Sequence, residues 1–171
     1  MKISIKKIEE VTQKKVKTDI ISIGFDWATR AGISTIKTNK KYINIDCNFI
    51  EFKVQDRKQK YTLMVKALED ILNNQDIAII EDVFVGFNRA GSMELAKYHA
   101  FAISECIRKN ILYDTITARS IRSKFGIKKK NKRDNWKFTV AQWLKENLDI
   151  DLKGDDDCSD AIILALLGIL K

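Results

Sequence analysis

Residues 161–170, Ala-Ile-Ile-Leu-Ala-Leu-Leu-Gly-Ile-Leu, are apolar without a break. Wound as a helix, such a segment has no polar stripe to offer water and must be covered on nearly every side. It is about half the ~18 residues that cross a bilayer, so the cover has to come from the protein itself. The rest of the chain supplies the strands for it. Residues 20–25 form a nearly all-apolar, isoleucine-rich run, the pattern of a buried central strand. Residues 32–36 and 42–54 follow after short turns and alternate, the latter through Ile43, Ile45, Cys47 and Phe49, which predicts an antiparallel meander. Residues 58–73 place Tyr61, Met64, Val65, Leu68, Ile71 and Leu72 at helical period, with Asn73-Asn74 as the stop.

Residues 77–83 and 111–117 read as two further strands, separated by a helix from Ser92, its expected cap, to Lys109. Asp134 is positioned to cap a helix to residue 147, with Trp136, Val140, Trp143 and Leu144 on one face that reads as core. The order βββαβαβ followed by helices predicts an α/β fold: a five-stranded mixed sheet, three strands antiparallel and then two parallel, flanked by helices. Residues 19–171 are expected to form one domain. Residues 1–18 hold six lysines against two glutamates and read as a basic N-terminal extension, a solvated arm or a binding one. That segment has no continuous apolar stretch of the kind a signal peptide carries, which points to a cytoplasmic protein. Cys47, Cys106 and Cys158 lie far apart with no CxxC pair, a spacing that argues against a disulfide framework or zinc ribbon and fits a reducing compartment.

The net charge is +8, and residues 119–137, with nine basic side chains and one acid (Asp134), carry all of it. A patch so concentrated suits a phosphate backbone. Arg119, Arg122, Lys124, Lys128, Lys129, Lys130, Lys132 and Arg133 are therefore candidate nucleic-acid contacts.

The acids point to chemistry. Asp26 closes the first apolar strand and Glu81 lies near the end of the fourth. If those strands pair in parallel, ~4.8 Å apart, both carboxylates emerge at the same height. Two anions so close in a half-buried place require a proton or a cation between them. Asp157 and Asp160, at i and i+3, share a helix face that continues into the apolar turns and so faces the sheet. Four carboxylates from three segments then converge, a hard-oxygen set suited to Mg²⁺, with Mn²⁺ as a substitute. One or two such ions can activate water against a phosphodiester. The plainer reading of each aspartate alone is a turn former or a helix-dipole partner; Asp155 and Asp156 are assigned to capping. His99, the single histidine, reads as structural. No GxxxxGK[ST], GxGxxG or HExxH occurs, so no nucleotide cofactor or zincin chemistry is expected.

These residues fall into a familiar pattern. Ile23-Gly24-Phe25-Asp26 with Thr29-Arg30-Ala31-Gly32, then Ile79-Ile80-Glu81-Asp82-Val83-Phe84, then Asp157-Cys158-Ser159-Asp160-Ala161, resemble in order and spacing the three acidic motifs of RuvC-type Holliday junction resolvases. The resemblance implies an RNase H-like fold and a metal-dependent endonuclease that cuts branched DNA, chiefly four-way junctions. It implies metal binding and catalysis by Asp26, Glu81, Asp157 and Asp160. It further implies base stacking by Phe84, phosphate-facing cations at Arg122 and Lys132, and a homodimer. The helix from Ser92 carries two apolar stripes, Met93, Ala96, Ala100, Ile103, Ile107 and Leu95, Tyr98, Ala102, Cys106; one is expected to pack on the sheet and the other to be further core or the face that such a dimer would use. The family usually has Pro-Gly after the first aspartate; Trp27-Ala28 stands here, which suggests a divergent, phage-encoded branch. The rival readings are an RNase H-fold nuclease acting on RNA–DNA hybrids or flaps, and a non-catalytic DNA-binding protein.

Overall fold

The computed structural model describes residues 1–27, 30–83, 89–129, 131, 134–153 and 158–171. A six-stranded mixed sheet in the order β1-β4-β3-β2-β5-β6 forms its centre. The strands are β1 (Lys2–Ser4), β2 (Ile21–Asp26), β3 (Ala31–Thr38), β4 (Tyr42–Ile50), β5 (Ile77–Glu81) and β6 (Leu112–Ile116). β2, β3 and β4 form the expected antiparallel meander, and β2–β5 and β5–β6 are the expected parallel pairs. The helices are α1 (Ile5–Thr12), α2 (Arg57–Ile71), α3 (Arg89–Arg108), α4 (Ala118–Lys124), α5 (Trp136–Leu148) and α6 (Ser159–Ile169).

The sixth strand comes from the amino-terminal segment. β1 pairs antiparallel with β4, and Ser4 caps α1 by accepting from the Lys7 amide. α1 buries Ile8 completely, and Val16 bridges to Leu170. The solvated-arm expectation is corrected accordingly: charge counting sees the lysines, whereas Ile3, Ile8 and Val16 are what anchor the segment.

The sheet is covered on both faces. Ile23, Phe25, Ile33, Ala78 and Ile80 meet α2 and α3 through Met64, Leu68, Tyr98, Ala102 and Cys106. On the opposite face Ile36, Ile43, Ile45 and Ile79 meet α6, with α1, α4 and α5 outside it through Ile8, Ile121, Val140 and Leu144. α6 is the helix that the sequence requires to be enclosed: every residue of it except Leu167 is buried.

β2 accepts α6 at unusually close range because its facing positions are small. Ser22 Oγ donates to the Ala165 carbonyl at 2.9 Å. A Cβ on Gly24 would fall inside contact distance of the Ala161 carbonyl oxygen and 2.5 Å from the Ala165 nitrogen.

Several local expectations are corrected. α4 lies unannounced inside the basic stretch, capped by Thr117, because Ile121 is its one large apolar residue turned to the core. α5 is capped by Asn135, which accepts from the Lys137 amide; Asp134 instead accepts from the Asn131 amide. α3 begins before Ser92, which is a buried residue of the helix. Trp136, read as core, is 37% exposed in the first turn of α5, whereas Trp143 packs edge-on against Phe125 at 5.6 Å. Cys47 on β4 and Cys158 before α6 form a disulfide, Cα atoms 6.1 Å apart, although 111 residues separate them. Sequence spacing cannot see that the start of α6 crosses β4. Among the described residues no helix is long and apolar enough to cross a membrane.

Candidate active site

The site follows from strand alternation. Ser22 and Gly24 face α6, so Asp26, two further along, faces its amino-terminal end. In the parallel pair β2–β5, Phe25 stands opposite Ile80, which sets Asp26 beside Glu81. Ile79 packs on the α6 side, so Glu81 points the same way. Asp160, in the first turn of α6, comes down on the same place; Asp26 and Asp160 are both buried, 6% and 4% exposed. The helix dipole favours an anion there.

Their electrostatics show three acids competing for little solvation. Burial, foremost, pushes the Glu81 carboxyl up to about 9, and a hydrogen bond to Asp26 together with the charges of Asp26 and Asp160 pushes the same way; Arg122 opposes. Glu81 therefore keeps its proton at neutral pH and donates it to Asp26. Burial likewise raises Asp160, with Arg122 opposing and Asp26 adding to the rise.

Two cations balance the acids. Arg122 Nη2 donates to Asp160 Oδ2 at 2.9 Å and Nε to Oδ1 at 3.4 Å. Lys137 Nζ stands 3.6 Å from Asp26 Oδ2, close enough for attraction but beyond a hydrogen bond. That oxygen is buried and makes no hydrogen bond, an unsatisfied anionic donor on the inner side of the site. Sequence reasoning found Arg122 but not Lys137. Both lie in the basic stretch, and the signal for Lys137 is its place in the first turn of a helix that packs on α6. Ser159 Oγ, donating to the Lys137 carbonyl at 3.3 Å, ties those two helix starts together.

The donor set fits a hard divalent ion. Two adjacent carboxylates sharing one proton and an orphaned buried carboxylate oxygen are what such an ion relieves. Among the described residues no three acidic, histidine or cysteine side chains already stand as a ready-made ion cage. Asp26 and Glu81 face each other through a hydrogen bond, and Asp160 is turned to Arg122. Asp157, Phe84, Lys130, Lys132 and Arg133 lie outside the described residues. Arg119 and Lys124 are exposed on α4 and Lys128 is exposed beyond it, whereas Lys129 is half-buried. His99 stands 3.8 Å from Asp82 and is held below its ordinary pKa by burial.

Glu81 carries a testable consequence. Its folded pKa lies above the ordinary carboxylate value, so between about 4.5 and about 9 the folded chain holds a proton that the unfolded chain has lost. The stability from this group is complete below the lower limit and drains away as pH rises through the upper one. Without divalent ions, the melting temperature should fall between about pH 6 and about pH 8.5, and Glu81→Gln should flatten that fall. Equal slopes for both proteins would show that Glu81 is not the proton holder.

The profile of the family described as crossover junction endodeoxyribonuclease RuvC matches residues 20–167, a span that includes Asp26, Glu81 and Asp160. The chain belongs to the RuvC family. It is thus a hydrolase of the crossover junction endodeoxyribonuclease type. Solved RuvC structures share its fold. That of T. thermophilus RuvC in complex with a Holliday junction substrate has a TM-score of 0.68 at 11% identity, covering 89% of this chain and 99% of its own. Another Thermus thermophilus RuvC structure gives 0.66 at 12% identity, covering 89% and 99%. The yeast mitochondrial Holliday junction resolvase Ydc2 gives 0.64 at 8% identity, covering 92% and 81%. No curated protein sequence matches the chain significantly.

Proposed function

We propose that this RuvC-family chain cuts four-way DNA junctions by divalent-metal-dependent, in-line hydrolysis of a phosphodiester. The observation that carries the reading is the delivery of Asp26, Glu81 and Asp160 to one end of the sheet, flanked by Arg122 and Lys137. An Mg²⁺ or Mn²⁺ ion held by these acids and Asp157 would supply a nucleophilic water and neutralise the leaving oxygen. The chain's own contribution is orientation and charge. The parallel register fixes two carboxylates side by side, α6 fixes the third, and Arg122 and Lys137 offer positive charge where the attacked phosphate becomes more negative. Lys132 keeps the phosphate-facing role that the resemblance gives it, and Phe84 the base-stacking role. The test is cutting of a synthetic four-way junction with and without Mg²⁺, beside linear duplex, flap and RNA–DNA hybrid. Hybrid or flap cut faster than the junction overturns the substrate assignment, and no cutting at all overturns the nuclease reading.

Residues 119–137 are the backbone grip in this reading, because they hold the whole net charge. Binding should weaken steeply with salt, log K falling by roughly 0.9 per phosphate neutralised. Replacing Lys128, Lys129 and Lys130 together by Ala should weaken all DNA substrates by similar factors and reduce the slope. An unchanged slope would reduce that run to a solvated surface.

A junction is approximately two-fold, so a symmetric dimer would place one site on each of two opposed strands. Met93, Ala96, Ala100 and Ile107 form an exposed, largely apolar side of α3, while Tyr98, Ala102 and Cys106 face the core. That exposed side supports pairing through α3. Light scattering showing monomers at tens of micromolar, with and without junction, would remove it.

A further inference from the structure

Arg122, paired with Asp160 in the site, also lines a cavity. It has a volume of about 360 Å³ and lies between the end of α4 and the start of α5, bounded by Arg119, Arg122, Ser123, Gly126, Lys128 and Trp136. No acid lines it. Gly126, at φ +65°, leaves its own part of the wall bare: a Cβ there would meet nothing within 4 Å. Trp136 is 37% exposed, although its periodicity with Val140 and Leu144 would have it in the core. The Arg122 guanidinium carbon stands 4.9 Å from the Trp136 ring centroid and Lys129 Nζ 4.8 Å. Arg122 is thus shared, one side toward Asp160 and the other toward the indole.

Three cations alone would describe a phosphate grip. The indole and the volume ask for more. A partly exposed aromatic ring flanked by cations is what a base and its phosphate occupy together, since every base has a π-face that stacks without regard to sequence. The volume lies in the range of small-molecule pockets and exceeds what a phosphate needs. A cation over a ring is a weaker occupant than a stacked base, so a base on the indole exchanges with one of the two cations that stand over it, Arg122 or Lys129. Unstacking a base is least costly where pairing is already interrupted, as at a branch point.

We infer that this cavity receives one unstacked nucleotide of a substrate strand, its base on Trp136 and its phosphate between Arg119 and Lys128, one guanidinium away from the acidic centre. The inference rests on the branched-DNA reading above and deepens it. It makes Trp136 a base-binding residue separate from Phe84, and it makes Arg122 the link between the seated nucleotide and Asp160.

The test measures metal-free binding of the 171-residue chain to a set of four-way junctions, each with a single abasic position near the branch point, and to linear duplex. One abasic position should weaken wild-type binding by about tenfold. Trp136→Ala should weaken the intact junction by the same factor and be blind to that abasic position. Trp136→Phe, which keeps a ring, should behave nearly as wild type and shows that the fold tolerates change there. If Trp136→Ala weakens intact and abasic junctions alike by a constant factor, the ring only steadies Arg122 and Lys129 and the inference is wrong. Wild-type binding indifferent to every abasic position overturns it equally. Equal affinity of the wild type for junction and linear duplex would instead remove the branched-DNA reading, and the inference with it.

Discussion

Asp26→Asn, Glu81→Gln and Asp160→Asn should each lower single-turnover junction cutting by at least about 100-fold, the loss expected when a metal-held nucleophile is misplaced. Each exchange keeps the side chain's shape, so packing against α6 survives; Asp26→Asn and Asp160→Asn remove a negative charge, and Glu81→Gln removes a carboxyl that could ionise to hold a metal ion. Binding without metal should tighten or hold for the two aspartate exchanges, because a charge that repels the DNA backbone has gone, and should stay the same for Glu81→Gln, whose carboxyl is already protonated. That pairing of lost rate with kept affinity separates the effect from misfolding. Glu81→Gln adds an internal control, since its metal-free form should withstand alkaline pH better than the wild type. A triple variant that cut at the wild-type rate in Mg²⁺ would show that the chemistry happens elsewhere on the molecule.

Gly24→Ala should be the most damaging single methyl group in the sheet. Its Cβ would press into the backbone of α6 at Ala161 and Ala165, and backbone cannot swing aside as a side chain can. Overpacking of this kind costs about 1–3 kcal/mol and more when no side chain can yield. At about 2–4 °C per kcal/mol for a domain of this size, the melting temperature should drop by roughly 10 °C. Whatever protein stays folded must lift α6 from β2, and Asp160 with it, so cutting should fall further than the folded fraction alone explains. Gly126→Ala is the contrast: the space there is open, and the loss is limited to about 1–2 kcal/mol of left-handed backbone strain. If the two alanines melted alike, the close approach of β2 and α6 would not be a constraint in solution.

The parts of the site legible in the sequence were those that a sheet makes regular. Asp26 and Glu81 could be paired because each closes an apolar run, and parallel strands bring such ends together. Asp160 could be added because the apolar helix after it has to lie on that sheet. What stayed hidden depends on direction. Lys137 is one of nine basic residues in its stretch, and counting charge does not tell which one leans toward Asp26. Trp136 has the period of a core residue, yet the first turn of α5 overhangs the cavity beside α4. β1 is three residues long, too short for alternation to show, and α1 reads as a charged arm until Ile8 is seen to be enclosed. Cys47 and Cys158 meet through a crossing of β4 and the start of α6 that no local pattern encodes.

The seating of α6 on β2 also orders events in time. β2 and β5 precede α6 in the chain, so Asp26 and Glu81 are synthesised before Asp160 can join them. Until then one face of the central strands is bare, because its cover has not been made. A growing chain, or one broken off anywhere before residue 160, presents two acids and no third, with neither the helix end nor its arginine-bound aspartate to complete the centre. A centre drawn from segments so far apart in the chain stays incomplete until α6 docks on β2.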